Sequence, residues 1–175
     1  MEAFAVVDVT PERDHASDDV ALAARSARAT VLITADGAAA VERLARRIHA
    51  ASGRGSFPFV LVAAATLPID AAVVVETCAG LLDTAQGGSL LLTDVEQMPP
   101  IVQEGLMDTL AGLQAALERT GRVRLMAGTT TSLYERIAGG TFSERLFYQL
   151  NTLHVIGHRS RAAHSSPVQS ASLMG

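Results

Sequence analysis

The chain has 175 residues, 49% of them apolar and 18% charged, with a formal net charge of −4. That length supports one domain with a sizeable core, and the acidic balance gives no general attraction to nucleic acid or anionic membranes. Aromatics make up 4% and tryptophan is absent, so the core must be built from Ala, Val, Leu and Ile.

The N-terminus has no basic stretch leading into a long apolar one, so no signal peptide is expected. Phe4 to Val7 reads as a short edge strand, and the polar stretch from Thr10, with Pro11, as a loop. Residues 1–17 are set apart as an N-terminal segment. Asp18 and Asp19 suit the start of a helix through Arg28, because carboxylates favour helix N-termini. Val31 to Thr34 is the first central strand. Ala38 to Ala51 follows as a helix, with Val41, Leu44, Ala45 and Ile48 on one face at helical spacing.

Phe59 to Ala65 is a second strand and Asp70 to Asp83 a helix, despite its β-branched Val73-Val74-Val75. Cys78, the single cysteine, lies in that helix among apolar neighbours and reads as core. Gly87-Gly88 is a turn before a third strand, Ser89 to Val95. Pro99-Pro100 starts a long helix to about Glu118, since proline is tolerated in a first turn. Its apolar stripe is Val102, Leu106, Leu110, Leu113 and Leu117. Val123 to Ala127 is a fourth strand, Tyr134 to Ala138 and Ser143 to Leu150 are short helices, and Thr152 to Ile156 is a fifth strand. Residues 158–175 are rich in Ser, Ala and Arg without apolar periodicity and read as a flexible tail. Strands alternating with helices predict an α/β fold of three layers, with a mostly parallel five-stranded sheet between helices over residues 18–157. No apolar run reaches the roughly 18 residues of a membrane span, so a cytoplasmic location is expected.

The segment from Ala29 to Ser52 has the strand-turn-helix layout in which nucleotide-binding folds hold a triphosphate. Yet the chain contains no lysine, so no residue can supply the usual phosphate-gripping ammonium. His154 and His158, four apart near the last strand, could share a face, but no nearby Asp, Glu or Cys completes a metal set. His49, late in its helix, reads as structural. No Gly-x-Ser-x-Gly elbow is present.

Five stretches in order resemble the AAA+ ATPase core of bacterial enhancer-binding proteins, the activators of sigma-54 RNA polymerase. VLIT with LARRIHAAS is similar to the strand and helix around that family's Walker A motif, and FPFVLVAAATLP to its second strand. GGSLLLTDVEQMPPIVQEGLMDTL resembles the Walker B strand and following helix, RVRLMAGTT the sensor I strand, and GTFSERLFYQLN the arginine-finger helix. The resemblance implies a P-loop NTPase fold of AAA+ type, and it also locates what has changed.

Where the family has a Gly-rich loop ending in Gly-Lys-Glu, this chain has Ala35, Asp36, Gly37, Ala38, Ala39, Ala40, Val41 and Glu42. Glycines let a backbone curl around phosphate with its N–H groups inward. Three of them are alanine here, and Val41 stands at the lysine position. Asp36 places a carboxylate where a phosphate would sit, or serves as a helix N-cap.

Thr93 stands at the magnesium-coordinating aspartate and Asp94 at the catalytic glutamate. Asp94 can equally be a strand-end carboxylate that caps a turn or faces solvent. Ser143 and Gln149 stand at the arginine-finger positions, with Arg145 on another face, and Thr129 and Thr130 lie near the sensor asparagine. Between Leu67-Pro68 and Gly87-Gly88 the family's Gly-Ala-Phe-Thr-Gly-Ala loop is replaced by a helical segment, and the tail replaces the family's helical lid. No helix-turn-helix follows, so direct DNA binding is not expected.

These readings lead to a catalytically inactive AAA+-like domain with no cofactor, ATP–Mg²⁺ included. It would work by binding a protein, an AAA+ transcriptional activator being the plausible partner. The alternative is a residual nucleotide binder or slow ATPase that relies on Thr34, Gly37 and Glu42.

Overall fold

The computed structural model describes residues 15–26, 29–120 and 123–157. The expected edge strand at Phe4–Val7, and the tail expected in place of a lid, lie outside the described residues. In chain order the elements are α1 (His15–Arg25), β1 (Val31–Ala35), α2 (Ala38–His49), β2 (Phe59–Ala63), α3 (Ala71–Thr84), β3 (Ser89–Thr93), α4 (Pro100–Thr120), β4 (Arg124–Thr129), α5 (Leu133–Ala138), α6 (Glu144–Leu150) and β5 (Leu153–Gly157). A π-helical turn at Ala50–Arg54 extends α2, and 3-10 turns at Ala64–Thr66 and Val95–Gln97 follow β2 and β3. The first helix begins three residues before the expected boundary at Asp18 and stops short of Arg28, at Arg25.

The strands form one sheet in the order β2-β3-β4-β1-β5. The sequence suggested a mostly parallel sheet; every pairing is parallel. Parallel strands need crossover helices, which cover both faces and explain the near-continuous apolar runs. Alternation along each strand sorts the core into two layers. Val31, Ile33, Leu91, Met126 and Val155 face α1 and α2, packing with Val20, Ala23, Leu44, Ala45 and Ile48. Leu32, Leu90, Leu92, Leu125 and Ala127 face the other helices, packing with Val74, Cys78, Leu82, Val102, Leu106 and Phe147.

Cys78 is buried in that second layer, and burial pushes its thiol pKa up. Asp70 caps α3, accepting from Ala72 N at 3.0 Å and Val73 N at 3.2 Å, which offsets the poor helix propensity of the valine run. The turn into β3 requires glycine at position 88, because a Cβ there would stand 1.8 Å from the Pro58 carbonyl oxygen. Among the described residues no helix is long and apolar enough to cross a membrane.

Candidate functional site

The C-terminal ends of the strands form the edge where open α/β sheets place their ligands. Four features meet there: the β1–α2 turn, the end of β3, the β4–α5 loop and the end of β5.

Only Asp36 and Gly37 separate β1 from α2, so Ala38, Ala39 and Ala40 are already helical. Gly37 is the N-cap, one residue later than expected for Asp36, and itself supplies no side-chain cap. The Gly37 carbonyl accepts from Ala40 N at 2.9 Å and Val41 N at 3.1 Å. Alanine at 38–40 has the highest helix propensity of any residue, so the sequence itself draws the loop into the helix.

Val41 is fully buried beneath α2 and rests on β4. A Cβ on Gly128 would lie 2.3 Å from Val41 Cγ1, so the missing side chain at 128 is what admits the valine. Glu42, next along, pairs on the surface with Arg46 at 2.7 Å.

At the end of β3, Thr93 is buried and its hydroxyl donates to Asp94 Oδ2 at 3.1 Å. Asp94 has φ 55° and ψ 38°, the left-handed region that an L-residue enters at a cost and that Asp tolerates better than most. Its carbonyl accepts from Gln97 N at 2.9 Å and opens the 3-10 turn. The carboxylate itself does not cap that turn, contrary to one sequence expectation.

Glu96, in the same turn, is a buried carboxylate that sequence reasoning missed. Its Oε1 accepts from Thr130 Oγ1 at 2.9 Å and Thr130 N at 3.2 Å, while Oε2 is buried with no hydrogen-bond partner. The available signal was a glutamate between Val95 and Met98, directly after an apolar strand. Thr129 curls locally, donating to Thr131 O at 2.9 Å and accepting from Thr131 N at 3.2 Å. Both sensor-position threonines are thus hydrogen-bonded to their own surroundings.

A cavity of about 400 Å³ opens beside the β1–α2 turn, on the sheet face opposite α2. Its floor is Leu32, Leu133 and Phe147, and its rim includes Asp36, Ser132, Tyr134 and Ile156. Its wall carries the hydrogen bond between Thr34 Oγ1 and His154 Nε2 at 2.9 Å. Burial lowers the His154 pKa, against an opposing pull from Asp19. Among the described residues the lining contains no arginine. His158, weighed with His154 as a metal pair, lies outside the described residues.

The positions matched to the arginine fingers sit elsewhere, on α6. Ser143 is its N-cap, accepting from Leu146 N at 3.3 Å. Gln149 is half-buried with its Oε1 unpaired, and Arg145 is exposed. Also missed by sequence reasoning is Arg124 at the start of β4. It is fully buried, donates to the carbonyls of Ala24 and Ser26 at the end of α1, and so steadies that helix terminus.

The comparisons with known proteins agree with this architecture. The sequence profile described as Sigma-54 interaction domain matches residues 9–156. The regulatory protein AtoC of Escherichia coli K12 is 34% identical over 149 residues, covering 74% of this chain and 32% of that protein. The HTH-type transcriptional regulatory protein TyrR of Enterobacter agglomerans is 32% identical over 145 residues, covering 71% and 27%. This chain therefore spans about a third or less of these relatives.

Among solved structures, NtrX from Brucella abortus in complex with ATP superposes with a TM-score of 0.64 at 28% identity, covering 88% of this chain and 38% of that one. The P-loop NTPase domain of an E. coli sigma-54 activator gives 0.59 at 20% identity, covering 81% and 91%, a likeness of fold alone. By the extent of the profile match and its identity to these regulators, this chain belongs to the sigma-54 interaction domain family.

Proposed function

We propose that this domain works without nucleotide turnover, as a protein-binding module in sigma-54-dependent transcription regulation. Its partner is an AAA+ activator subunit, met through the subunit faces of the shared fold. The observation that carries the reading is the placement of Val41. The residue at the lysine position is a core side chain seated on Gly128, with no route to a phosphate.

Four further observations support it. The amides of Ala40 and Val41 are closed on Gly37 O rather than offered to an anion. Thr93 and Asp94 bond to each other, which leaves a hydroxyl where a hard divalent cation needs a carboxylate. Glu42 is held by Arg46. Asp36 lines the adjoining cavity, whose lining among the described residues includes no arginine to meet a triphosphate. These residues do not fit ATP–Mg²⁺, and no hydrolytic step is assigned to them.

Titration calorimetry with ATP–Mg²⁺ tests the first half. We expect no measurable heat of binding. Affinity tighter than about 100 μM, roughly −5.5 kcal/mol, overturns the reading in favour of a residual nucleotide binder. Co-purification with an AAA+ activator of the same organism, with and without nucleotide, tests the second half. The complex should form equally well in both conditions.

A further inference from the structure

The other end of the sheet order presents a different surface. Among the described residues β2 is an edge strand, hydrogen-bonded to β3 alone. Ser89 N donates to Pro58 O, and the register pairs Phe59 with Ser89. In a parallel ladder this turns the N–H and C=O groups of Phe59, Leu61 and Ala63 away from the sheet. No charged residue occurs from Gly55 to Ile69. Edge strands are ordinarily guarded by charge, bulge or cover. Here Leu61 is 40% exposed at the centre of the strand, with Phe57, Ile69 and Val73 exposed on the flanking segments.

We infer that this edge pairs with a second copy of the chain, β2 against β2 in antiparallel register about a two-fold axis at Leu61. The strand is self-complementary in that register. Leu61 meets its own counterpart, Phe59 meets Ala63 so that a large side chain faces a small one, and Val60 meets Val62. The outward groups of Phe59, Leu61 and Ala63 fall on the hydrogen-bonded pairs of such a ladder. The nearest charges are complementary as well. Arg46 lies over the Phe59 ring at 4.5 Å and Arg54 precedes the strand, whereas Asp70 follows it. Antiparallel pairing sets the basic end of one copy toward the acidic end of the other, and no like charges meet along the strand.

Sedimentation velocity, with hydrogen exchange read at single amides, tests the pairing. The mass should rise from 18.3 kDa toward twice that value as concentration increases to about 200 μM. The amides of Phe59, Leu61 and Ala63 should gain protection over the same range. Leu61→Lys opposes two ammonium groups across the axis and should weaken the dimer about a hundredfold. Leu61→Thr keeps strand propensity and should weaken it less. Far-UV circular dichroism of both variants should match that of the wild type. A monomer at every concentration overturns the inference. So does a dimer that Leu61→Lys leaves intact, or one in which these three amides exchange as fast as in the monomer.

Discussion

The side chain of Gln103 accepts from Ser143 N at 2.7 Å and donates to Met98 O at 2.9 Å and Thr141 O at 3.0 Å. One buried amide on α4 thus satisfies three backbone groups from two loops. An amide carries both the donors and the acceptor that this needs. Gln103→Leu leaves those groups unpaired and should destabilise the domain by about 2–3 kcal/mol in urea unfolding. Gln103→Glu loses the donor and faces two carbonyls with an anion, so it should cost at least as much.

A lysine introduced at position 41 tests the core role of that residue. Val41→Lys buries an ammonium group against Gly128 and should lower stability by about 3 kcal/mol or more without conferring nucleotide binding. Val41→Ala keeps the polarity and removes only packing, at about 2 kcal/mol. Thermal unfolding with and without ATP–Mg²⁺ reads both effects at once. A nucleotide-dependent rise in melting temperature for Val41→Lys would contradict the packing argument.

Asp94 gives a backbone test. Asp94→Val places a β-branched residue in the left-handed region and should cost about 1–2 kcal/mol. Asp94→Gly relieves the backbone but loses the acceptor for Thr93 and should lie within about 1 kcal/mol of the wild type.

His49 makes stability depend on pH. It is buried, with Nδ1 2.9 Å from Ser89 Oγ and its ring edge-on to Phe59. Burial lowers its pKa, and Arg46, Arg54 and Arg124 lower it further against a hydrogen bond with the Phe57 backbone. Below the ordinary value of about 6.5 the unfolded chain takes up the proton first. Stability contributed by neutral His49 is therefore complete at neutral pH and is lost as pH falls from about 6.5 toward the lowered folded value. Melting temperatures from neutral to mildly acidic pH should show that loss for the wild type and a shallower slope for His49→Gln.

Much of the fold was legible because parallel strands buried on both faces spell themselves out as apolar runs. VLIT, FVLVA and SLLLT each lie at an expected strand. The stripe of Val102, Leu106 and Leu110 is buried as its spacing implied. Helix boundaries were less legible, since α1 starts ahead of the aspartates that seemed to mark its beginning.

At the site, sequence gave the residue types but not their orientation. The absence of lysine was visible, but the seat of Val41 in the core depends on Gly128, far along the chain. Glu96, Gln103 and Arg124 escaped notice because their partners are backbone groups or loops that no local pattern encodes.

The order β2-β3-β4-β1-β5 also sets a schedule for synthesis. β1 is among the first strands made, yet both of its neighbours, β4 and β5, lie in the last third of the chain. Until those segments leave the ribosome, Val31, Leu32 and Ile33 have no strand to pair with and remain exposed as a sticky apolar segment. A nascent chain stalled before Arg124 is therefore the form of this protein most in need of a chaperone.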